Sequence, residues 1–288
     1  MKYKTAIALL LILGTIFLSS LARAQSPLVV GVFPRRDPAI TIKLFKPLRD
    51  YLAKELGIPV RLETATDFAT FELRLAQQRY DLVHLNQYQY IIAHDQTGYD
   101  AIIQNEEFDE KDISGAIYVR TDSNLTALAQ LKGKNILFGG GDKAMMSYIV
   151  PTYLLRKAGL KPGDYQENFS KSPPNAVLAT YIGQCDAGGA GAVVLKLPLV
   201  KRKIDTTQLT ILARSQPLPH LPWATKQDML PSLKVKIQHV LTSLKDTPKG
   251  QTVLKSAQLT GLNLVQDSDY DIHRTIISEV KNDQPPAK

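Results

Sequence analysis

Short apolar segments alternate along the chain with amphipathic segments of helical period, and this alternation constrains the fold more than any other feature. Leu28–Phe33 (LVVGVF) is an apolar run that ends at a proline, which is typical of a buried strand followed by a loop. Thr41–Leu56 places apolar residues at helical spacing, and Gly57 closes it as a C-cap. Val60–Glu63 predicts a second strand and Asp67–Gln78 a second helix. This rhythm predicts an α/β fold with a mostly parallel sheet.

The same rhythm continues through the middle of the chain. Tyr80–Leu85, Ser114–Arg120 and Asn135–Phe138 predict further strands. Lys143–Ala158 has a helical pattern, and Pro151 within it predicts either a kink or a late helix start. Ligands lie beyond the carboxyl ends of the strands in sheets of this kind, so the loops after these strands are the candidate binding loops.

The N-terminus predicts export from the cytoplasm. Lys2 and Lys4 precede an apolar run over Ala6–Leu18, and Ala22 and Ala24 form an A-x-A cleavage site. We therefore expect a signal peptide over residues 1–24, cut after Ala24. The alternative is an uncleaved anchor, but the apolar run is about a dozen residues against the roughly 20 that span a bilayer.

Composition excludes several classes of protein. The single cysteine, Cys185, rules out an internal disulfide. The 35 Lys and Arg residues exceed the 27 Asp and Glu residues only modestly and do not cluster on one helix, which argues against nucleic-acid binding. The five histidines show no metal-ligand spacing, and no cofactor motif is present. We predict no catalytic residues, no metal and no cofactor.

Five segments in a fixed order resemble one known family. LVVGVFP, FKPLRDYLAKELGIPV, FELRLAQQRYDLVH, LKGKNILFGGGD and VPTYLLRKAGL are similar to the phosphate/phosphite/phosphonate-binding family of ABC-importer periplasmic proteins. The resemblance implies a type II periplasmic-binding fold, with two α/β lobes joined by a two-strand hinge. It implies lobe 1 over residues 25–114 and 215–281 and lobe 2 over 115–214. The polar composition of residues 282–288 predicts a disordered tail.

Two of the candidate loops carry groups suited to an anion. Arg35 and Arg36 follow the first strand, where guanidinium forks can hold an oxyanion, although a solvated charge pair fits equally well. Gly140, Gly141 and Asp142 lie between a strand and a predicted helix, where backbone N–H groups can hold an anion. The alternative for this loop is an ordinary glycine-rich turn.

The segment that follows the glycines departs from the family. Phosphonate-binding members have a run of Ser and Thr there, whereas this chain reads DKAMMSY from Asp142 to Tyr148. Ser147 is the hydroxyl that remains, and either Lys143 or the Arg35/Arg36 pair can compensate for the missing donors. The two methionines favour a larger or less polar ligand.

The remaining candidate residues are polar or aromatic. Asn86, Gln87 and Tyr88 end the third strand and can orient a ligand or cap the next helix. Tyr118 either stacks on a ligand or packs in the core. The resemblance implies second-lobe contacts from Asn175 and Asp186, although Pro174 stands where amine-recognising members have a carboxylate.

These features predict a monomeric periplasmic solute-binding protein of an ABC importer, with a small, anionic ligand and a membrane permease as partners. The alternatives are a sensor of the same fold that signals to a membrane histidine kinase and an exported hydrolase that uses Ser147. No base can be placed beside Ser147 from the sequence, which argues against the hydrolase.

Overall fold

The computed structural model describes residues 26–281, which form two β-sheets flanked by helices. The predicted signal peptide and the predicted disordered tail lie outside the described residues. We call the part built on the six-stranded sheet lobe 1 and the part built on the five-stranded sheet lobe 2. The two-lobed α/β fold predicted from the sequence is confirmed, whereas the exact lobe boundaries stay a prediction.

Lobe 1 is formed by segments from both ends of the described chain. Its strands are β1 (Leu28–Val32), β2 (Val60–Glu63), β3 (Leu82–His84), β4 (Tyr99–Glu106), β12 (Pro222–Lys226) and β13 (Gly261–Leu264). Its helices are α1 (Pro38–Leu56), α2 (Phe68–Ala76), α3 (Gln87–Thr97), α7 (Pro231–Thr242) and α8 (Pro248–Ser256). The sheet order is β13-β4-β12-β3-β1-β2, in which β1 pairs in parallel with β2 and β3. The carboxyl ends of those three strands therefore lie on the same side of lobe 1.

Lobe 2 is a continuous middle segment. Its strands are β6 (Gly115–Arg120), β7 (Asn135–Gly139), β8 (Gln166–Ser170), β9 (Ala187–Gly191) and β10 (Leu209–Arg214). Its helices are α4 (Val150–Lys157), α5 (Pro173–Tyr181) and α6 (Pro198–Lys201). The order is β10-β6-β9-β7-β8, with β7 parallel to both β8 and β9. The carboxyl ends of these three strands form the corresponding edge of lobe 2.

Local sequence explains why α1 begins and ends where it does. The side chain of Asp37 accepts hydrogen bonds from the N–H groups of Ala39 and Ile40, and Pro38 occupies the first turn. Gly57 adopts a left-handed conformation with φ of 72° at the other end. Between these caps, one face of the helix is buried against the lobe 1 sheet. Burial of that face holds the loop after β1 in place.

The helix predicted from Lys143 begins late. Met145–Ile149 form a π-helical turn, and the α-helix α4 starts at Val150 with Pro151 in its first turn. Proline has no N–H to donate and its ring clashes with the preceding turn, so it is accommodated near a helix start. This outcome is one of the two that the sequence allowed, and it puts Ser147 in the π turn.

A short ribbon joins the lobes. Strands β5 (Asp112–Ile113) and β11 (Leu218–Pro219) pair in antiparallel fashion between the two sheets. The two-strand hinge implied by the resemblance is therefore present. Next to it, the N–H of Gly115 donates to Ser215 Oγ over 3.2 Å, which links the two crossing segments.

The last helix, α9 (Asp271–Lys281), contacts both lobes. Its residues Ile276 and Val280 are buried in the hydrophobic cluster of lobe 2. Lys157 on α4 lies 3.3 Å from Glu279 on α9. The sequence-based boundary assigns this helix to lobe 1, but its apolar face also completes the core of lobe 2.

Candidate functional site

The loop after β1 holds two arginines beside the end of β4. Arg35 Nη1 lies 3.5 Å from Glu107 Oε1, and Arg36 Nη2 donates to Gln258 Oε1 over 2.6 Å. Burial and the neighbouring charge of Arg35 lower the pKa of Arg36 to about 10, so Arg36 stays charged at neutral pH. The loop thus presents two cations, with Glu107 the carboxylate in ion-pair contact with Arg35.

The residues after β3 divide into a cap, a hinge contact and a contact between the lobes. Asn86 accepts from the N–H of Gln89 in a capping box, so its side chain serves helix α3. Gln87 is buried, and its Nε2 donates to the carbonyl oxygen of Pro219 in hinge strand β11. Tyr88 is half-buried and packs against the hydrophobic cluster of lobe 2. Burial raises the pKa of Tyr88.

The three glycines at the end of β7 and in the loop after it have different surroundings. A Cβ at Gly139 would lie 2.3 Å from Cα of Pro173, so glycine is required for α5 to approach β7. Gly140 has a φ of 97°, which favours glycine, and its N–H donates to the carbonyl oxygen of Ser170. Gly141 is exposed, and a Cβ there would meet nothing within 4 Å.

Lys143 leaves this loop and reaches the other lobe. Its Nζ lies 2.8 Å from Oε2 of Glu72 on α2. The hydrogen bond from Lys143 to Glu72 raises the pKa of the lysine. Its neighbour Asp142 lies 3.4 Å from Nζ of Lys281 on α9. The glycine-rich loop of lobe 2 is therefore in contact with lobe 1 and with the last helix.

The π turn after the loop is buried. Met145, Met146 and Ser147 all have less than a tenth of their surface exposed. The hydroxyl of Tyr148 lies 3.1 Å from Glu167 Oε1, and burial raises the pKa of that carboxyl. The segment that replaces the Ser and Thr run thus contributes packing and one partly buried hydrogen bond.

Two sequence-predicted residues, Tyr118 and Asp186, lie away from the facing loops. Tyr118 is fully buried in a hydrophobic cluster of lobe 2, and its hydroxyl donates to the carbonyl oxygen of Gly191. Asp186 precedes β9 at the amino end of the parallel strands, where it accepts from the N–H of Asn135. The structure therefore does not bring Asp186 to the carboxyl edge. Asn175, by contrast, is exposed in the first turn of α5, which follows the carboxyl end of β8 and begins beside Gly139.

Two acidic residues at the cleft were missed by sequence reasoning. Glu72 contacts Lys143, and Glu107 contacts Arg35. Both are ordinary charged positions in the sequence, and no motif marks them. Their contacts arise because segments distant in sequence meet across the fold, so only the structure reveals them.

Residues 26–281 contain no group of three or more His, Cys, Asp or Glu side chains arranged to hold a metal ion. Over the same residues, no helix has both the length and the apolar character required to cross a membrane. The arrangement offers cations, backbone groups and aromatic surface between two lobes, which suits binding of a small molecule.

Several solved structures share this fold. XAC2383 of Xanthomonas citri, bound to ATP, matches with a TM-score of 0.76 and 19% identity over 91% of this chain and 100% of that chain. PhnD1 of Prochlorococcus marinus, in complex with methylphosphonate, matches with a TM-score of 0.74 and 18% identity over 89% and 98%. A binding protein component of an ABC phosphonate transporter from Pseudomonas aeruginosa matches with a TM-score of 0.73 and 15% identity over 92% and 91%. The fold is that of a type II periplasmic binding protein.

The sequence identifies the family within this class. Residues 30–270 match the family described as ABC transporter, phosphonate, periplasmic substrate-binding protein. The chain belongs to this family, whose members bind substrates rather than catalyse reactions. The role predicted from the sequence, a solute-binding component of an ABC importer, is confirmed.

Proposed function

We propose that this protein captures a small oxyanion-bearing solute between its lobes and presents it to a membrane permease. The observation that carries the proposal is the placement of cations on facing strand ends. Arg35 and Arg36 follow β1 in lobe 1, and Lys143 follows β7 in lobe 2. In α/β sheets, ligands lie beyond these carboxyl ends. Anionic groups pair well with such cations, and guanidinium forks can hold two oxygens at once.

The candidate residues in and beside the facing loops have different roles in this proposal. The arginines hold the oxyanion from lobe 1, while Gly141, Asp142 and Lys143 line the lobe 2 side. Tyr88 offers an aromatic surface at the junction of the lobes. Gly140, Asn86 and Gln87 shape the loops and the hinge and do not contact the ligand, because their polar groups form hydrogen bonds within the protein.

The ligand class differs in one respect from a simple phosphonate. Ser147 is buried in the π turn, and the methionines beside it occupy the segment that is rich in hydroxyl groups in phosphonate-binding members. We propose a ligand with an anionic group and a larger or less polar remainder.

The test is a thermal-shift screen of the purified protein against phosphate, phosphite, methylphosphonate, other phosphonates, sulfonates, carboxylates, ATP and amino acids. A ligand at 100 times its Kd adds about 2.7 kcal/mol to the free energy of unfolding, which raises Tm measurably. Calorimetry on each hit then compares the wild type with the Arg35→Ala, Arg36→Ala double variant. We expect a loss of affinity of at least about tenfold, because a hydrogen bond to a charged group contributes about 1.5–3 kcal/mol.

The matched control is Arg61→Ala. Arg61 is an exposed arginine near the start of β2, which is the outermost strand of the sheet. It therefore lies away from the carboxyl ends of the strands, where the candidate loops begin. Its removal should leave affinity unchanged. Equal affinity in the wild type and the double variant would rule out the arginines as ligand contacts.

We further propose that the mature chain is a monomer in the periplasm, produced by cleavage after Ala24. Mass spectrometry of a periplasmic extract would give the N-terminal residue, and light scattering would give the mass. An N-terminus at Met1, or a stable dimer, would contradict the respective part of this proposal.

A second candidate is a sensor that reports ligand occupancy to a histidine kinase. The observation that favours it is a histidine kinase sensor domain with similarity to periplasmic binding proteins, which matches with a TM-score of 0.52 and 16% identity. Co-purification with the membrane partner separates the two candidates, since import requires a permease and sensing requires a kinase.

A further inference from the structure

Two ion pairs join lobe 2 directly to the part of lobe 1 that precedes the hinge. Lys143 Nζ, in the loop after β7, lies 2.8 Å from Glu72 Oε2 on α2. Lys196, which follows β9, lies 2.5 Å from Glu110 Oε1 in the turn before hinge strand β5. In both pairs the lysine belongs to lobe 2 and the glutamate to the lobe 1 side. The two pairs therefore tie the two sides of the cleft together.

Both lysines follow the carboxyl ends of lobe 2 strands, which is the edge where a ligand is expected. Glu72 thus places a carboxylate against a cation that is also a candidate ligand contact. The pairing is strong enough to raise the pKa of Lys143 and, at the second pair, to lower the pKa of Glu110. The carboxylate of Glu72 is therefore hydrogen-bonded to the ammonium group of Lys143.

A third contact adds the last helix to this arrangement. Lys281 on α9 lies 3.4 Å from Asp142 Oδ2, and the same ammonium lies 5.8 Å from the centre of the Tyr88 ring. Asp142 is next to Lys143 in lobe 2, and Tyr88 is on α3 of lobe 1. The glycine-rich loop is consequently connected to lobe 1 both directly and through α9.

We propose that the Glu72–Lys143 and Glu110–Lys196 pairs hold the cleft closed in the ligand-free protein, and that an anionic ligand displaces Glu72 from Lys143. We call these two ion pairs the latch. They control the opening of the cleft, so this proposal rests on the proposed capture function. It also sets a requirement on the ligand, whose charge must compete with a carboxylate already in place.

The exposure of the pairs determines how strong the latch is. The side chains of Lys143 and Glu72 are 51% and 32% exposed, and those of Lys196 and Glu110 are both 45% exposed. Pairs this exposed are screened by water and salt, so each changes the ratio of open to closed protein by about 1.5- to 5-fold. Two independent pairs multiply to about 2- to 25-fold. A latch of this strength releases readily.

The experiment measures the distance between the lobes without any ligand. Spin labels are attached at Lys43→Cys on α1 and Lys161→Cys after α4, both of which are exposed positions, in a Cys185→Ser background. The protein is unfolded in urea, dialysed to remove bound solute and refolded. Pulsed electron resonance then gives the distribution of distances at low salt and in about 1 M salt, where the Debye length falls to about 3 Å.

The test variant is Glu72→Gln with Glu110→Gln, which keeps the shape of both side chains and removes their charge. The matched control is Asp50→Asn, which breaks the Lys46–Asp50 pair within α1, also 2.8 Å long and exposed. We expect the double variant to raise the ratio of open to closed protein by about 2- to 25-fold at low salt. We expect the control to match the wild type. We expect salt to open the wild type more than the double variant, in which the pairs between α9 and lobe 2 remain.

A distance distribution that is the same in the wild type and the double variant would overturn the latch, as would an equal shift in the Asp50→Asn control. The circular dichroism spectrum and Tm of each variant show whether it has folded. Because no ligand is present, the result does not depend on the proposed function. Failure of the ligand screen together with a working latch would reject the ligand class alone.

Discussion

His84 makes the stability of this protein sensitive to acid. The side chain is 2% exposed, its ring stacks on Trp223 with centroids 4.6 Å apart, and the rings of Phe33 and Phe45 lie 5.2 and 5.8 Å away. Neither ring nitrogen has a hydrogen-bond partner within residues 26–281. Burial, with the nearby charge of Arg35, lowers the pKa of His84 well below 6.5.

The sign of the effect follows from this shift. The folded protein keeps His84 neutral, whereas the unfolded chain binds a proton at its ordinary pKa of about 6.5. The unfolded state therefore binds more protons as the pH falls below about 6.5, so the free energy of unfolding decreases. The contribution is intact above about pH 7 and is lost progressively in acid, until the pH reaches the folded pKa.

The magnitude can be worked out for a histidine whose folded form binds no proton at pH 5. Protonation of the unfolded chain then lowers the free energy of unfolding by about 2 kcal/mol between about pH 7 and pH 5. His273, whose pKa burial lowers to about 3, meets this condition. His220 is also buried with a lowered pKa and adds to the loss in the same direction.

Replacing His84 with phenylalanine tests the argument. His84→Phe keeps an aromatic ring beside Trp223 and removes two buried polar atoms, so it should raise the free energy of unfolding at pH 7 by about 1–3 kcal/mol. Between pH 7 and pH 5, the free energy of unfolding should fall by up to about 2 kcal/mol less in the variant than in the wild type. Urea unfolding followed by circular dichroism at both pH values measures the two quantities.

The control is His239→Gln, because His239 is exposed on α7. It should leave the pH dependence of unfolding unchanged. If His84→Phe loses as much stability in acid as the wild type does, the ring is not held neutral by burial and the reasoning fails.

Three further predictions concern packing, a buried hydroxyl and the thiol. Gly139→Ala should lower the free energy of unfolding by about 1–3 kcal/mol because its Cβ would overlap Pro173, whereas Gly141→Ala, with open space around it, should change urea unfolding little. Tyr90→Phe should cost about 1–3 kcal/mol, since the hydroxyl donates to Asp267 and accepts from the N–H of Ala101; unchanged urea unfolding would contradict this. Cys185, buried with a raised thiol pKa, should react slowly with Ellman's reagent in the folded protein and quickly in urea, and equal rates would show that the thiol is accessible.

The sequence predicted where ligand loops would begin, because those positions follow from local patterns. The apolar run before Phe33 and the helical period after Thr41 place Arg35 and Arg36 in a loop at a strand end, and the structure has them there. The position of Gly140 after a strand was predicted in the same way. The roles of these residues in ligand binding stay predictions.

Other features were misjudged because they depend on neighbours in space. The segment Ala187–Gly191 forms strand β9 although it consists of glycine and alanine, which have low strand propensity. Gly188 and Gly189 leave room there for Thr180 and Phe138. Asp186 consequently falls at the amino end of β9 rather than at the ligand edge.

The sequence alone determined the alternation of strands and helices, the caps and the family, since each of these depends on residues close together along the chain or on several motifs in order. Only the tertiary structure decided that Glu72 meets Lys143 and that α9 completes the core of lobe 2. Contacts of this kind join segments about 70 or more residues apart, and they depend on how the hinge orients the lobes. Local periodicity carries no information about that orientation. Glu72 and Lys143 are each compatible with an exposed position when their own segments are considered alone, and the apolar face of α9 predicts burial without indicating which lobe covers it.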